Sequence, residues 1–196
     1  MELKVHNTFF TGRFLIHLPS VDSTNNFAKE HISNSSPIDG TVILADNQFA
    51  GRGQIGNKWM VEPNINLTFS IIYHTSFLMA TEQFYLNMAV SLGVWRALEL
   101  VFLGCDSIKS TKKTTTLIKW PNDIYWRDRK AGGILIENNI NGKEWQWAVI
   151  GIGININQIS FSEAVVNAVS LKQITGRHFN PLELTKELCS CLQKRY

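Results

Sequence analysis

Three glycine-bearing segments hold most of the residue types that can do chemistry. The first is Gly51-Arg52-Gly53-Gln54-Ile55-Gly56-Asn57-Lys58-Trp59. Glycines let the N–H groups of a loop approach a ligand closely, and an arginine among them can fork onto a carboxylate or phosphate. No Gly-Lys-Ser/Thr follows, so this is not a Walker loop, and it does not open a long helix as GxGxxG does. A flexible surface loop is the plain alternative. The second is Lys119-Trp120-Pro121-Asn122-Asp123, leading into Arg129-Lys130-Ala131-Gly132-Gly133-Ile134-Leu135. By propensity Trp-Pro-Asn-Asp is a hairpin corner with Asx capping, yet polar functional groups crowd here against apolar, strand-like sequence. The third is Gly151-Ile152-Gly153-Ile154-Asn155-Ile156-Asn157, where strand alternation faces both asparagines the same way. Glycines weaken a strand unless another backbone or a ligand lies close.

The surrounding pattern supplies the elements that must position these segments. Strands are expected at 14–18, 41–45 and 67–73, then at 117–120, 133–137 and 146–150, with Asn141-Gly142 turning the last two into a hairpin. Asp22 and Ser23 are N-cap candidates for a short helix through Glu30. The longest helix begins near Thr81, presents Phe84, Met88, Leu92, Trp95 and Phe102 as its apolar face, and ends at Gly104. The last helix enters through Asn180 as N-cap and Pro181 at the first helical position, followed by Leu182, Leu188 and Leu192. This is the pattern of one α+β domain over residues 1–196: a mixed, largely antiparallel sheet with helices packed on one face.

Composition narrows the function classes. Apolar residues make up 44% and charged residues 18%, an ordinary globular balance that excludes disorder. No run nears the roughly 18 uninterrupted apolar residues of a membrane span, and the N-terminus lacks a signal-peptide pattern, so a cytoplasmic protein without membrane partners is expected. A net charge of +3 is too mild to argue for nucleic acid, and the Lys109–Lys113 cluster reads as a solvated loop. Cys105, Cys189 and Cys191 form no even or metal-type set and read as reduced and structural.

Taken in order, the three segments, Val21-Asp22-Ser23-Thr24-Asn25 and the Asp46-Asn47-Gln48 lead-in resemble the biotin–protein ligase family over residues 21–157. The resemblance implies a class II synthetase-like catalytic core that activates biotin with ATP to biotinyl-5'-AMP. The biotinyl group then passes to a lysine of the biotin carboxyl carrier protein of a biotin-dependent carboxylase, with Mg²⁺ accompanying the phosphates. It also implies roles. Ser23, Thr24, Asn25 and Gln48 would contact biotin, with Arg52, Gly53, Gln54, Lys130, Gly133, Gly151 and Gly153 around it. Arg52, Trp59, Asn122, Lys130 and Asn155 would hold ATP. Lys130, Arg52 and Asp123 would be catalytic, Asp123 as acid–base group. Ser23–Asn25 also fit a helix cap, Trp59 a buried core residue, and Asp123 a turn carboxylate.

The chain departs from the family at Gln54, where many members carry a second arginine; an amide contributes no charge to the grip on an adenylate. The family's N-terminal helix-turn-helix is expected to be absent, hence no operator binding, and its C-terminal SH3-like domain to be missing. The polar loop 106–116 has no assigned role, and an exposed sheet edge offers a route to a homodimer. Two other readings stand beside this one: a lipoate–protein ligase, which Gly-Arg-Gly paired with Lys-Trp-Pro-Asn-Asp disfavours, and a non-catalytic biotin-binding regulatory protein.

Overall fold

The computed structural model describes residues 2–3, 10–105, 116–142, 144–162, 165 and 167–196. The basic cluster at 109–113 and nearly all of the 106–116 loop lie outside them. The elements in chain order are β1 (Glu2–Leu3), β2 (Leu15–Leu18), α1 (Thr24–Asn34), β3 (Thr41–Ala45), β4 (Leu67–His74) and α2 (Gln83–Leu103). β5 (Thr116–Lys119), β6 (Asp123–Trp126), β7 (Arg129–Asn141), β8 (Glu144–Ile154), α3 (Leu171–Thr175) and α4 (Pro181–Gln193) follow. The strands form one sheet in the order β1-β2-β3-β4-β8-β7-β6-β5, antiparallel throughout except for the parallel β2–β3 pair.

Alternation decides what each face carries. Val42, Leu44, Phe69, Ile71, Ile150 and Ile152 face the main core, where α2 and α4 pack; Ile43, Ile72 and Val149 face the other way, against Ala28 and Phe27 of α1. Helices on one face is therefore right for α2 and α4, while α1 covers the opposite face and builds the site there. The buried stripe of α2 is Leu86, Val90, Val94, Ala97, Leu98 and Phe102, which shares only Phe102 with the expected one: Phe84 and Leu92 are exposed and Met88 and Trp95 half-buried. This helix is apolar nearly all round, so spacing alone cannot choose its inner face. The helical stretch Ala80–Leu103 is long and apolar enough to cross a membrane by length and composition, and half of that window is buried inside the fold. Gly93 lets α4 approach closely, since a Cβ there would stand 2.7 Å from Leu192.

Local entry chemistry follows the sequence at α4, where Asn180 Oδ1 accepts from the N–H of Leu182 and Glu183. The β7–β8 hairpin turns at Asn141-Gly142 with Gly142 at φ 62°. Cys105, Cys189 and Cys191 are free and buried; burial pushes the Cys189 thiol up to about 12, which leaves it unreactive.

Candidate active site

The site lies on the α1 face of the sheet, over the centre of β4, β8 and β7. Directly opposed residues of antiparallel strands point the same way, so two rows form its floor. Thr68, Gly153, Gly133 and Asp123 make one; Ser70, Gly151 and Leu135 make the other. The glycines are sterically required. A Cβ on Gly151 would stand 2.3 Å from Asn25 Oδ1, and one on Gly153 would stand 2.3 Å from the Trp59 ring. The missing side chains leave room for an α1 side chain and a loop side chain to lie on the sheet.

A polar chain crosses this floor. Gln48 Oε1 accepts from the Thr24 N–H at 2.8 Å and the Thr24 hydroxyl at 2.9 Å. The Ser70 hydroxyl lies 2.7 Å from Thr24 Oγ1 and 2.6 Å from Asn25 Oδ1, and Asn25 Nδ2 donates to Glu137 Oε2 at 2.9 Å and to the Leu135 carbonyl at 3.3 Å. Ser23, Thr24, Asn25, Gln48 and Ser70 are all buried. Ser23 occupies the N-cap position of α1 but makes no side-chain cap hydrogen bond. The first turn of α1 is therefore tied together by Gln48 rather than by its own cap.

Residues 51–59 form a tight hairpin and not a loose loop. The Trp59 N–H donates to the Gly51 carbonyl at 3.0 Å, and the Gly53 N–H to the Asn57 carbonyl at 2.7 Å. Its tip carries Ile55, 99% exposed and in the left-handed region at φ 52°. Arg52 donates to Asn26 Oδ1 at 2.6 Å and to both carboxylate oxygens of Glu137 at 2.8 and 3.3 Å. Two of its five N–H donors remain for a ligand. Burial pushes the Glu137 carboxyl upward. Hydrogen bonds from Asn25 and Lys29 and the charges of Lys29 and Arg52 outweigh that and hold it below the usual carboxylate range.

At the other end Lys130 Nζ sits 2.8 Å from Asp123 Oδ1 and 5.8 Å from the centre of a Trp59 ring. A β-bulge aims it. Ile124 pairs with Gly132 and Tyr125 with Lys130, so Ala131 has no partner across β6. Side-chain parity flips there: Ala131 joins the core while Lys130 turns to the site face. The Lys130 backbone is clamped by the Asn167 carbonyl and the Val169 N–H. Trp59 Nε1 is buried and has no hydrogen-bond partner among the described residues.

These elements enclose a cleft of about 190 Å³ lined by Ser23, Thr24, Asn25, Gln48, Arg52, Gly53, Gln54, Trp59, Asn122, Asp123, Lys130, Gly133, Gly151 and Gly153 among others. All but one of the residues singled out from the sequence thus meet around one cavity. Asn155 does not. The sheet ends at Ile154, and the Asn155 amide turns to the Lys130 and Val169 carbonyls at 3.4 Å, so it braces the lysine's backbone instead of facing the cleft. Asn157 likewise brackets the backbone of Phe179. Sequence reasoning missed Glu137, whose partners lie up to 112 positions away. It also missed the apolar part of the lining, Leu135 on the site face and the backbone of Phe69, Ile134 and Ile152, whose side chains face the core.

Chemically, the cleft offers a cation at each end, hydroxyl and amide groups between them, and an indole beside the lysine. That set suits an anionic or acyl-phosphate ligand held across a partly apolar floor. Among the described residues no group of three or more His, Cys, Asp or Glu could hold a metal ion.

Comparison with known proteins gives the family and the fold. The model of the biotin/lipoate A/B protein ligase family matches residues 17–155. A curated relative is the bifunctional ligase/repressor BirA of Bacillus spizizenii, 32% identical over 189 residues, which cover 94% of this chain and 54% of that protein. The chain thus spans about half the length of that relative. Among solved structures, the biotin protein ligase of Aquifex aeolicus in complex with biotin and ATP superposes with a TM-score of 0.76 at 29% identity, over 92% of this chain and 69% of the other. The biotin protein ligase of Leishmania major in complex with biotinyl-5-AMP gives a TM-score of 0.76 at 25% identity, over 92% and 74%.

Proposed function

The chain belongs to the biotin/lipoate A/B protein ligase family, and from that premise we propose that it is a biotin–protein ligase. It would use ATP to make biotinyl-5'-AMP and pass the biotinyl group to a lysine of a biotin carboxyl carrier protein. The observation that carries this reading is that Arg52 and Lys130, from a hairpin and a bulged strand, line one cleft. Relatives solved with biotin and ATP, or with the adenylate, support the choice of ligands.

The mechanism rests on bringing two anions together. In the first step an oxygen of the biotin carboxylate attacks the α-phosphorus of ATP and pyrophosphate leaves. Fixed donors offset the charge without reorganising during reaction; Lys130 and the two unused Arg52 N–H groups serve that role. Trp59 flanks the adenylate, Asn122 lies on the nucleotide side, and Ser23, Asn25 and Gln48 hold the biotin head. Mg²⁺ would enter on the triphosphate, which supplies its oxygen ligands; among the described residues no group of three His, Cys, Asp or Glu would cage it. In the second step the acceptor amine attacks the acyl carbon, AMP leaves, and Asp123 accepts or orients the amine proton. The same reading places the enzyme and its acceptor in the cytoplasm.

The test is incubation with ATP, a biotin carrier domain and either biotin or lipoate, followed by mass spectrometry of the carrier. A biotinyl mass shift that requires ATP is expected. A lipoyl shift alone, or biotin binding with no transfer, would overturn it in favour of the corresponding rival.

A further inference from the structure

We infer that Glu137 is a positioning residue that holds the arginine of the 51–59 hairpin over the cleft and fixes the Asn25 amide beneath it. The inference rests on the reading of the site given above and adds a residue to it. Glu137 does not line the cleft, yet it touches two residues that do. Its carboxylate meets Arg52 in a two-oxygen fork and also accepts from Asn25 and Lys29 at 2.9 and 3.0 Å. One side chain thereby joins the hairpin, both ends of the first α1 turns and β7.

Two consequences follow for ligand contacts. A carboxylate only accepts hydrogen bonds, so Asn25 must show it Nδ2 and turn Oδ1 to the Ser70 hydroxyl. Ser70 thereby commits its one proton to Asn25 Oδ1, and the neighbouring Thr24 hydroxyl donates to Gln48 Oε1. In addition, the fork and Asn26 consume three Arg52 donors, which fixes where the remaining two point. The base of the hairpin is held differently: Gly51 and Trp59 pair with each other, and the Trp59 ring lies over Gly153 and beside Lys130. The carboxylate is its anchor at the arginine.

Glu137→Gln keeps the shape but removes the charge and replaces one acceptor by a donor facing Arg52 or Asn25. Hydrogen exchange of the 51–59 amides in the ligand-free protein, compared with those of α4, reads the anchor directly and needs no catalysis. Exchange in 51–59 should quicken several-fold while α4 is unchanged. With biotin and ATP but no acceptor, release of biotinyl-adenylate should rise about tenfold, the effect of one lost charge-assisted hydrogen bond. In an Arg52→Ala background, Glu137→Gln should add almost nothing to either readout. Unchanged 51–59 exchange in Glu137→Gln overturns the inference. So do additive effects of the two substitutions. Should Glu137→Gln not fold, Arg52→Ala alone must loosen 51–59 to the predicted extent, and its failure to do so overturns the inference equally. A wild-type protein that makes no adenylate refutes the functional reading while the exchange result still decides on the anchor.

Discussion

The cleft has a cation–carboxylate pair at each end, and the two are built differently. Lys130 and Asp123 stand on neighbouring strands, joined by a short reversal and aimed by a bulge. Arg52 and Glu137 are 85 positions apart and join a surface hairpin to the far part of β7. Sheet geometry fixes the first pair; the second pair itself fixes the hairpin. On the proposed function, a rigid strand would hold the charge where bonds form, and a side-chain anchor the charge where the ligand enters and leaves.

Substitutions can break this contrast. Lys130→Ala should slow adenylation by about a thousandfold, as removal of a transition-state charge partner does, with the fold intact because the bulge belongs to the backbone. ATP–pyrophosphate exchange with biotin present checks this, and wild-type exchange in the folded variant would contradict it. Arg52→Ala should act on retention more than on chemistry, weakening a biotinyl-adenylate analogue by roughly ten- to a hundredfold; calorimetry measures it, and equal affinity would count against the assignment. Gly151→Ala forces a Cβ to 2.3 Å from Asn25 and should cost about 1–3 kcal/mol, read from the denaturant midpoint. Gln54→Arg should sharpen the contrast by adding charge at the hairpin end, slowing adenylate escape a few-fold with little change in exchange rate.

The smallest effect is on pH dependence. The folded Glu137 carboxyl titrates below its ordinary value of 4.5. Its contribution is therefore complete above that pH and is lost as pH falls toward the folded value. Its partners Lys29 and Arg52 are both well exposed, so about 0–1 kcal/mol is at stake. Thermal melting should show a slightly steeper acid loss in the wild type than in Glu137→Gln.

What the sequence revealed depended on how local the cause was. β3 appears at Thr41–Ala45 as expected, and α4 starts where Asn180 and Pro181 place it, because a continuous apolar run or a capped segment carries its own signal. β6 was hidden, since four residues after a turn dipeptide give too little pattern and Asp123 had been assigned to the corner itself. The inner face of α2 could not be chosen from an almost uniformly apolar helix. In the site, motif residues converged because strands register them. Asn155 went elsewhere because β8 ends one residue earlier, and Glu137 was invisible because its partners come from distant segments.

The unpartnered indole N–H of Trp59 has a thermodynamic consequence. A buried donor without an acceptor costs on the order of 1–3 kcal/mol. The indole edge would therefore favour a ligand that presents an acceptor to it over one that does not.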